Sequence, residues 1–421
     1  MLTTIQYDFE AIEAALEKAI PRRKSEIELF AEAHSDIEIL EGEYEEKEFK
    51  EPSVDISDKA EAFLIRQGEN LIKRIEEGDR TSFWTNPIFT LQAKNPITNY
   101  VYNIENMSAL NDAVSTHSYR TALFMSFDEA FKKGFIIPKG TVSHEIIQRF
   151  GKKVKEVTQI VDGKEVPLLD ANGEPQYYWK RCIRTANVFN IDQLEWKHKD
   201  KPDPREQWIA EYKRPAKIQL SNEKELNIFN QALSKAIVAD GIRIVDGGKG
   251  CFFSPARNTI SLTTLFKNSL VAIGVKAHEY AHSTGVKEKL NRECLYKYHT
   301  SEAFRGMEEL VANCSARKLV MHYGLDANEV VNQYHKSEDA YDLSWALPVF
   351  KKNPSLIMKS MIMGELSFQY MKERIDTQLK ADNVYGMFID ETKQYKKPAP
   401  IAENKSEGVK NNKSYKNRRT V

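Results

Sequence analysis

The chain has 421 residues, 41% apolar and 29% charged, with a formal net charge of +0 and four cysteines. That length suffices for two or three domains with cores of ordinary size. No run approaches the ~18 apolar residues of a bilayer span. The opening MLTTIQYDFEAIEAALEKAI lacks the basic start and apolar core of a secretion signal, and the cysteines show no paired spacing. These features predict a cytoplasmic protein with reduced thiols and no membrane partner.

The neutral total conceals an asymmetry. Between Asp36 and Asp58 ten acids stand against Lys47 and Lys50, a local balance of −8. Between Lys393 and Arg419 nine basic residues stand against Glu403 and Glu407, a balance of +7. An acidic start and a basic end suggest separate jobs, or a tail that finds nucleic acid.

Helical spacing over Tyr7 to Glu32 is broken at Pro21, and the acidic GEYEEKEFKEPSVD reads as a solvated linker. Residues 1–60 are therefore expected to form an acidic helical leader. A helix is expected from Asp58 to Glu77, starting after Ser57 and stopping near Gly78. Aromatics become dense from Thr81. A helix over Ser126 to Lys133 precedes Gly134. Turn signals at Asp162-Gly163 and Asn172-Gly173 separate strand-like runs, VKEVTQIV and QYYWKRCIRTANVFNI. Residues 61–200 thus predict a mixed α+β domain. Lys180, Arg181 and Arg184 interleave with aromatics, and Lys139, Arg149, Lys152, Lys153 and Lys155 add a second basic group. Exposed rings and cations together suit single-stranded nucleic acid, with Trp84 and Tyr102 as candidate stacking rings. For any single ring, burial in a core is the competing reading.

The charged, proline-containing stretch His198 to Pro215 reads as the connection to a second domain over residues 216–385. A helix over Glu223 to Ala239 is followed by short strands at Ile242 to Val245, Gly250 to Phe253 and Asn258 to Leu262. Then comes His278-Glu279-Tyr280-Ala281-His282. On a helix, residues four apart share a face, so His278 and His282 can hold one metal ion, usually zinc. Glu279 is placed to take a proton from water at such a site, the His-Glu-x-x-His pattern of zinc-dependent peptidases. Three carboxylates compete as third ligand. Glu288 falls where HEYAHSTGVKE ends. Glu309, on a helix running through Gly306-Met-Glu-Glu-Leu-Val-Ala-Asn313, is favoured, and helix phase leaves its neighbour Glu308 as the alternative. Asn313, one turn on, is expected to steady a ligand histidine. Ser344 to Leu347 and Ser355 to Met371 read as core helices, their four methionines as packing. Residues 393–421 read as a disordered basic tail.

From about Thr81 to Lys372 the pattern resembles the ArdC antirestriction proteins of plasmids and phages. The N-terminal resemblance rests on Trp84, Pro87, Asn95-Pro96-Ile97-Thr98, Met125-Ser126-Phe127-Asp128-Glu129-Ala130, Pro138-Lys139-Gly140 and Val188-Phe189-Asn190-Ile191-Asp192-Gln193. The C-terminal resemblance rests on Phe252-Phe253-Ser254-Pro255, the metal motif through Gly285, Leu290-Asn291-Arg292 and Glu308-Glu309-Leu310-Val311-Ala312. Ser283 stands where the family usually has tryptophan, and Asn313 where it usually has an acid. The resemblance implies a two-domain α+β protein of a mobile genetic element. Its first domain would bind single-stranded DNA and its second would be a zincin-like peptidase acting on a host restriction protein or another protein substrate. The alternative is a non-proteolytic single-stranded-DNA-binding protein with a structural metal site.

Overall fold

The structure, a computed structural model, describes residues 54–77, 91–326 and 347–389, apart from 162–163, 170–172, 215–217, 219–220, 249, 265 and 267. The helix expected over Tyr7 to Glu32, Trp84, Asp162-Gly163 and the 393–421 tail lie outside the described residues.

The first half is built on a long antiparallel pair. Strand β1 (Val54–Ile56) and helix α1 (Asp58–Glu77) lead into α2 (Ile104–His117), β2 (Phe124–Met125), α3 (Phe127–Lys133), β3 (Phe135–Ile136) and β4 (His144–Glu156). A small hairpin, β5 (Thr158–Val161) and β6 (Lys164–Pro167), precedes β7 (Tyr177–Asn190) and β8 (Glu195–Trp196). Strands β4 and β7 pair from His144↔Val188 to Glu156↔Tyr177, with an irregularity between Lys153 and Lys155. β1 joins β7 in parallel, β2 joins it antiparallel, and β3 pairs with β8. The alternating apolar residues of the pair, Ile146 and Val188, pack with Leu110 and Phe124 over the sheet.

The second half is mainly helical. Helix α4 (Arg205–Tyr212) and α5 (Glu223–Ala239) are followed by a three-stranded sheet of β9 (Arg243–Asp246), β10 (Phe252–Ser254) and β11 (Thr259–Leu262), in the order β10-β11-β9. Then come α6 (Ser269–Ser283), α7 (Glu293–Tyr296), α8 (Glu302–His322), α9 (Leu347–Lys352), α10 (Ser355–Ala381) and α11 (Tyr385–Phe388). The side chain of Asn268 accepts a hydrogen bond from the Val271 amide, and that of Ser301 accepts one from Ala303, which start α6 and α8. Because α6 is apolar all round apart from its motif and Lys276, whose ammonium donates to Asn230 and Ser234 of α5, it is buried among α5, β11, α8 and α10. Met358, Met361 and Met371 are fully buried in the α10 packing.

Two expected boundaries differ from the structure. The leader expected to end at residue 60 gives up its last part to the fold: β1 is a sheet strand and Ala60 is buried. The connection expected over His198 to Pro215 contains α4, whose Ile209 packs on Phe135, Phe189 and Leu194 of the first half. Moreover, Phe63, Leu64, Ile147 and Ile183 share one core with Phe304, Leu310, Phe350 and Leu356. The halves are also joined by polar contacts. Glu365 of α10 accepts from the Ile104 amide at the start of α2 (3.0 Å) and from Lys318 Nζ (2.6 Å), and Lys318 donates to the Tyr102 carbonyl (3.0 Å). A carboxylate at a helix N-terminus satisfies an otherwise unpaired amide and suits the helix dipole.

Among the described residues no helix is long and apolar enough to cross a membrane.

Candidate metal centre

Helix α6 places His278 and His282 one turn apart, and α8 brings Glu309 against both. His278 Nε2 lies 3.0 Å from His282 Nε2 and 3.2 Å from Glu309 Oε2, and His282 Nε2 lies 3.7 Å from Glu309 Oε1. One ligand atom from each lies within 4.8 Å of the others. These separations fit three donors turned toward one small cation, and two imidazoles with a carboxylate are a donor set that zinc accepts. Glu288, at an exposed position, is outside this group.

Glu308 is brought close too, but to the far side of the ring. Its Oε1 is 3.1 Å from His282 Nδ1, leaving Nε2 pointed at the cluster. Arg292 donates to both oxygens of Glu308, Nε to Oε2 at 2.9 Å and Nη2 to Oε1, while Cys294 Sγ donates to Oε2 at 2.9 Å. Arg292 is itself fixed by Thr284 Oγ1 and the Ala281 carbonyl. A fully buried carboxylate held by a guanidinium, and holding an imidazole by its second nitrogen, fixes that ring's orientation. Asn313 reaches His278 and favours its protonated form. Tyr298 donates its hydroxyl to Glu309 Oε1, with its ring edge-on to His282 at 6.1 Å.

The electrostatics follow from burial and from this crowding. Burial opposes charge on both carboxylates of α8, yet each is held low, at about 2. Arg292 and His282 do this for Glu308, and the two histidines with Tyr298 do it for Glu309. Burial would depress His278, but the Glu309 carboxylate overrides it and raises the imidazole to about 9. Glu279 is 4% exposed, and burial pushes its carboxyl above the usual range while the histidines pull the other way. The Phe253 backbone of β10, at the edge of the small sheet, favours its charged form.

The candidate nucleic-acid residues fare differently. Tyr102 is corrected: it is 4% exposed and donates its hydroxyl to the Phe124 carbonyl at 3.1 Å, so its ring is part of the first-half core and no base can reach its face. Lys139 is exposed. Arg184 is exposed on β7 and lies over the Phe150 ring of β4 at 4.9 Å, Phe150 itself being 41% exposed. Lys180 and Arg181 sit opposite Lys152 and Gly151 in the strand register, and their side chains, like Trp84, lie outside what is described. Sequence reasoning gave Arg292 no role. Its only signal was its place in Leu290-Asn291-Arg292, and Glu308 was weighed solely as a ligand.

Family comparison matches two segments. Residues 66–189 match the N-terminal domain of anti-restriction factor ArdC, and residues 231–361 match a zincin-like metallopeptidase. Two crystal structures of the antirestriction ArdC protein from plasmid R388 are similar. The metal-free one is 18% identical with a TM-score of 0.47, covering 75% of this chain and 98% of that one. The Mn(II)-bound one is 19% identical with a TM-score of 0.47, covering 74% and 97%. No curated protein matches the chain. With the two matched segments in this order, the chain is ArdC-like, an N-terminal domain of the anti-restriction-factor kind joined to a zincin-like metallopeptidase domain.

Proposed function

We propose that this is an antirestriction protein of a plasmid or phage that binds single-stranded DNA through its first half. In its second half it holds zinc at His278, His282 and Glu309 for peptide-bond hydrolysis, so that incoming DNA survives host restriction. The observation that carries the peptidase reading is the convergence of three donor atoms within 4.8 Å beside a buried glutamate, on the two helices of a zincin-like domain. Zinc bound there supplies a Lewis acid that polarises a substrate carbonyl and lowers the pKa of water.

The chain's own residues do the rest. Glu279 accepts a proton from the attacking water on its carboxylate and returns it to the leaving amine. A carboxyl already raised by burial suits this double duty. Glu308, clamped by Arg292, keeps His282 Nε2 aimed at the ion. Tyr298, whose hydroxyl touches Glu309, keeps that carboxylate turned inward. The edge of β10 away from β11, which pairs with no other strand among the described residues, offers an extended peptide a strand to pair with beside Glu279.

The rival reading, a single-stranded-DNA-binding protein with a purely structural ion, is favoured by one observation. His278, His282 and Glu309 are only 6%, 7% and 6% exposed, a depth that suits a closed site. Cleavage profiling in a host-cell lysate, wild type against Glu279→Gln, separates the two. Peptides released by the wild type and absent from the variant support hydrolysis, and identical profiles support the rival.

A further inference from the structure

The corner formed by α3, β3 and β8 exposes what a folded domain normally hides. Among the described residues, four of the eleven exposed large apolar side chains fall in the short stretch 127–142: Phe127 (56%), Phe131 (67%), Ile136 (46%) and Val142 (70%). Phe127 and Phe131, one helical turn apart, hold their rings parallel within 4°, with centroids 6.4 Å apart. The helix that carries them is rigidly set. Ser126 caps it and Glu129 returns the bond, Glu129 is held in turn by Asn95 Nδ2 at 2.9 Å, and Ala130 is buried beneath. Gly134 ends the helix at φ +100°, and a Cβ there would lie 2.5 Å from His198 Nε2, so only glycine lets the 196–198 segment pack this closely.

That segment brings charge. The Lys197 amide donates to the Gly134 carbonyl, and Phe135 pairs with Trp196 across β3 and β8. Lys132, Lys133, Lys139, Lys197, Lys199 and Lys201 are all exposed, against Asp128, Glu195 and Asp200. None of the six lysines forms an ion pair among the described residues. Parallel, solvent-facing π surfaces beside unpaired cations are what successive unpaired bases and their phosphates require. A protein partner without acidic groups would leave these lysines unmatched, whereas a phosphate backbone complements them.

We propose that this corner is the base-stacking site of the chain, taking single-stranded DNA with bases on Phe127 and Phe131 and the backbone along Lys132, Lys133, Lys197 and Lys199. The proposal rests on the DNA-binding reading above and assigns the binding to residues other than Arg184 and its neighbours on β7. The test uses the full-length protein and a fluorescein-labelled oligodeoxythymidylate, read by anisotropy over a range of salt concentrations. Phe127→Ala and Phe131→Ala should each weaken binding at least ~5-fold, the lower end of the stacking contribution per base, with no change in salt slope. Phe131→Tyr should bind as wild type does. Lys132→Ala with Lys133→Ala should lower the salt slope by ~1.4.

A double phenylalanine variant that binds like wild type overturns the corner while leaving DNA binding intact, as does one that changes only self-association in sedimentation. A wild type that binds no single strand overturns the DNA reading and this site with it.

Discussion

His278, His282 and Glu309 are almost fully enclosed, whereas Phe127 and Phe131 stand more than half exposed, and the two regions differ in every physical respect that follows. In the metal region, chemistry depends on few residues whose donor atoms must converge to within a few ångströms. His282 and Glu309 are each backed by a partner: Glu308, itself held by Arg292, behind His282, and Tyr298 against Glu309. In the α3 corner, faces and charges are offered to a flexible polymer, and rigidity is needed only in the helix that carries them. The first kind of site is costly to perturb, because each side chain removed leaves another buried and unsatisfied. The second is cheap to alter, since its residues contribute little to the fold.

That difference sets the order of expected effects. Glu308→Ala should be the most damaging, because it strands the Arg292 guanidinium, 3% exposed, without its carboxylate. A loss of about 3–5 kcal/mol is expected in urea denaturation. Metal affinity should fall by roughly 10–100-fold in a chelator competition, since His282 loses the partner that orients it. Glu279→Gln removes the proton acceptor while keeping the shape, so peptidase turnover should drop by at least ~10². Metal content and DNA binding should be unchanged in that variant. Arg184→Glu should reduce single-strand affinity only modestly and leave the salt slope close to that of wild type, because no phosphate contact is assigned to Arg184. Smallest of all, Tyr102→Phe should leave DNA binding untouched. It should cost about 1 kcal/mol of stability for the lost bond to the Phe124 carbonyl. A Tyr102→Phe variant that lost DNA affinity would blur the contrast between core ring and surface ring.

The same contrast explains what was legible in the chain. Two histidines four residues apart share a helix face whatever the fold around them, so their meeting follows from local geometry alone. Glu309 was one of three candidates, because the phase of α8 relative to α6 is set by packing between distant segments. Glu308 and Glu309 face opposite nitrogens of the His282 ring, and one residue of phase interchanges them. Arg292 was opaque because burial of an arginine is a property of its partners, not of its type. Among the aromatics the sequence could not separate core from surface. Tyr102 and Phe131 look alike in composition, yet one closes a core and the other faces solvent. Boundaries failed for a related reason. β1 pairs with β7 across more than 120 residues, and Glu365 caps α2 from the other half. Neither contact leaves a local mark.

The central claim is that His278, His282 and Glu309 hold one metal ion, and elemental analysis of the purified full-length protein addresses it directly. Wild type should carry about one zinc per chain, lost in His278→Ala or His282→Ala, because two remaining ligands rarely hold zinc. Glu309→Ala should bind it markedly more weakly, and Glu288→Ala should retain it. A wild type that takes up no divalent ion, or a chain that loses zinc with Glu288→Ala and keeps it with Glu309→Ala, would contradict the account.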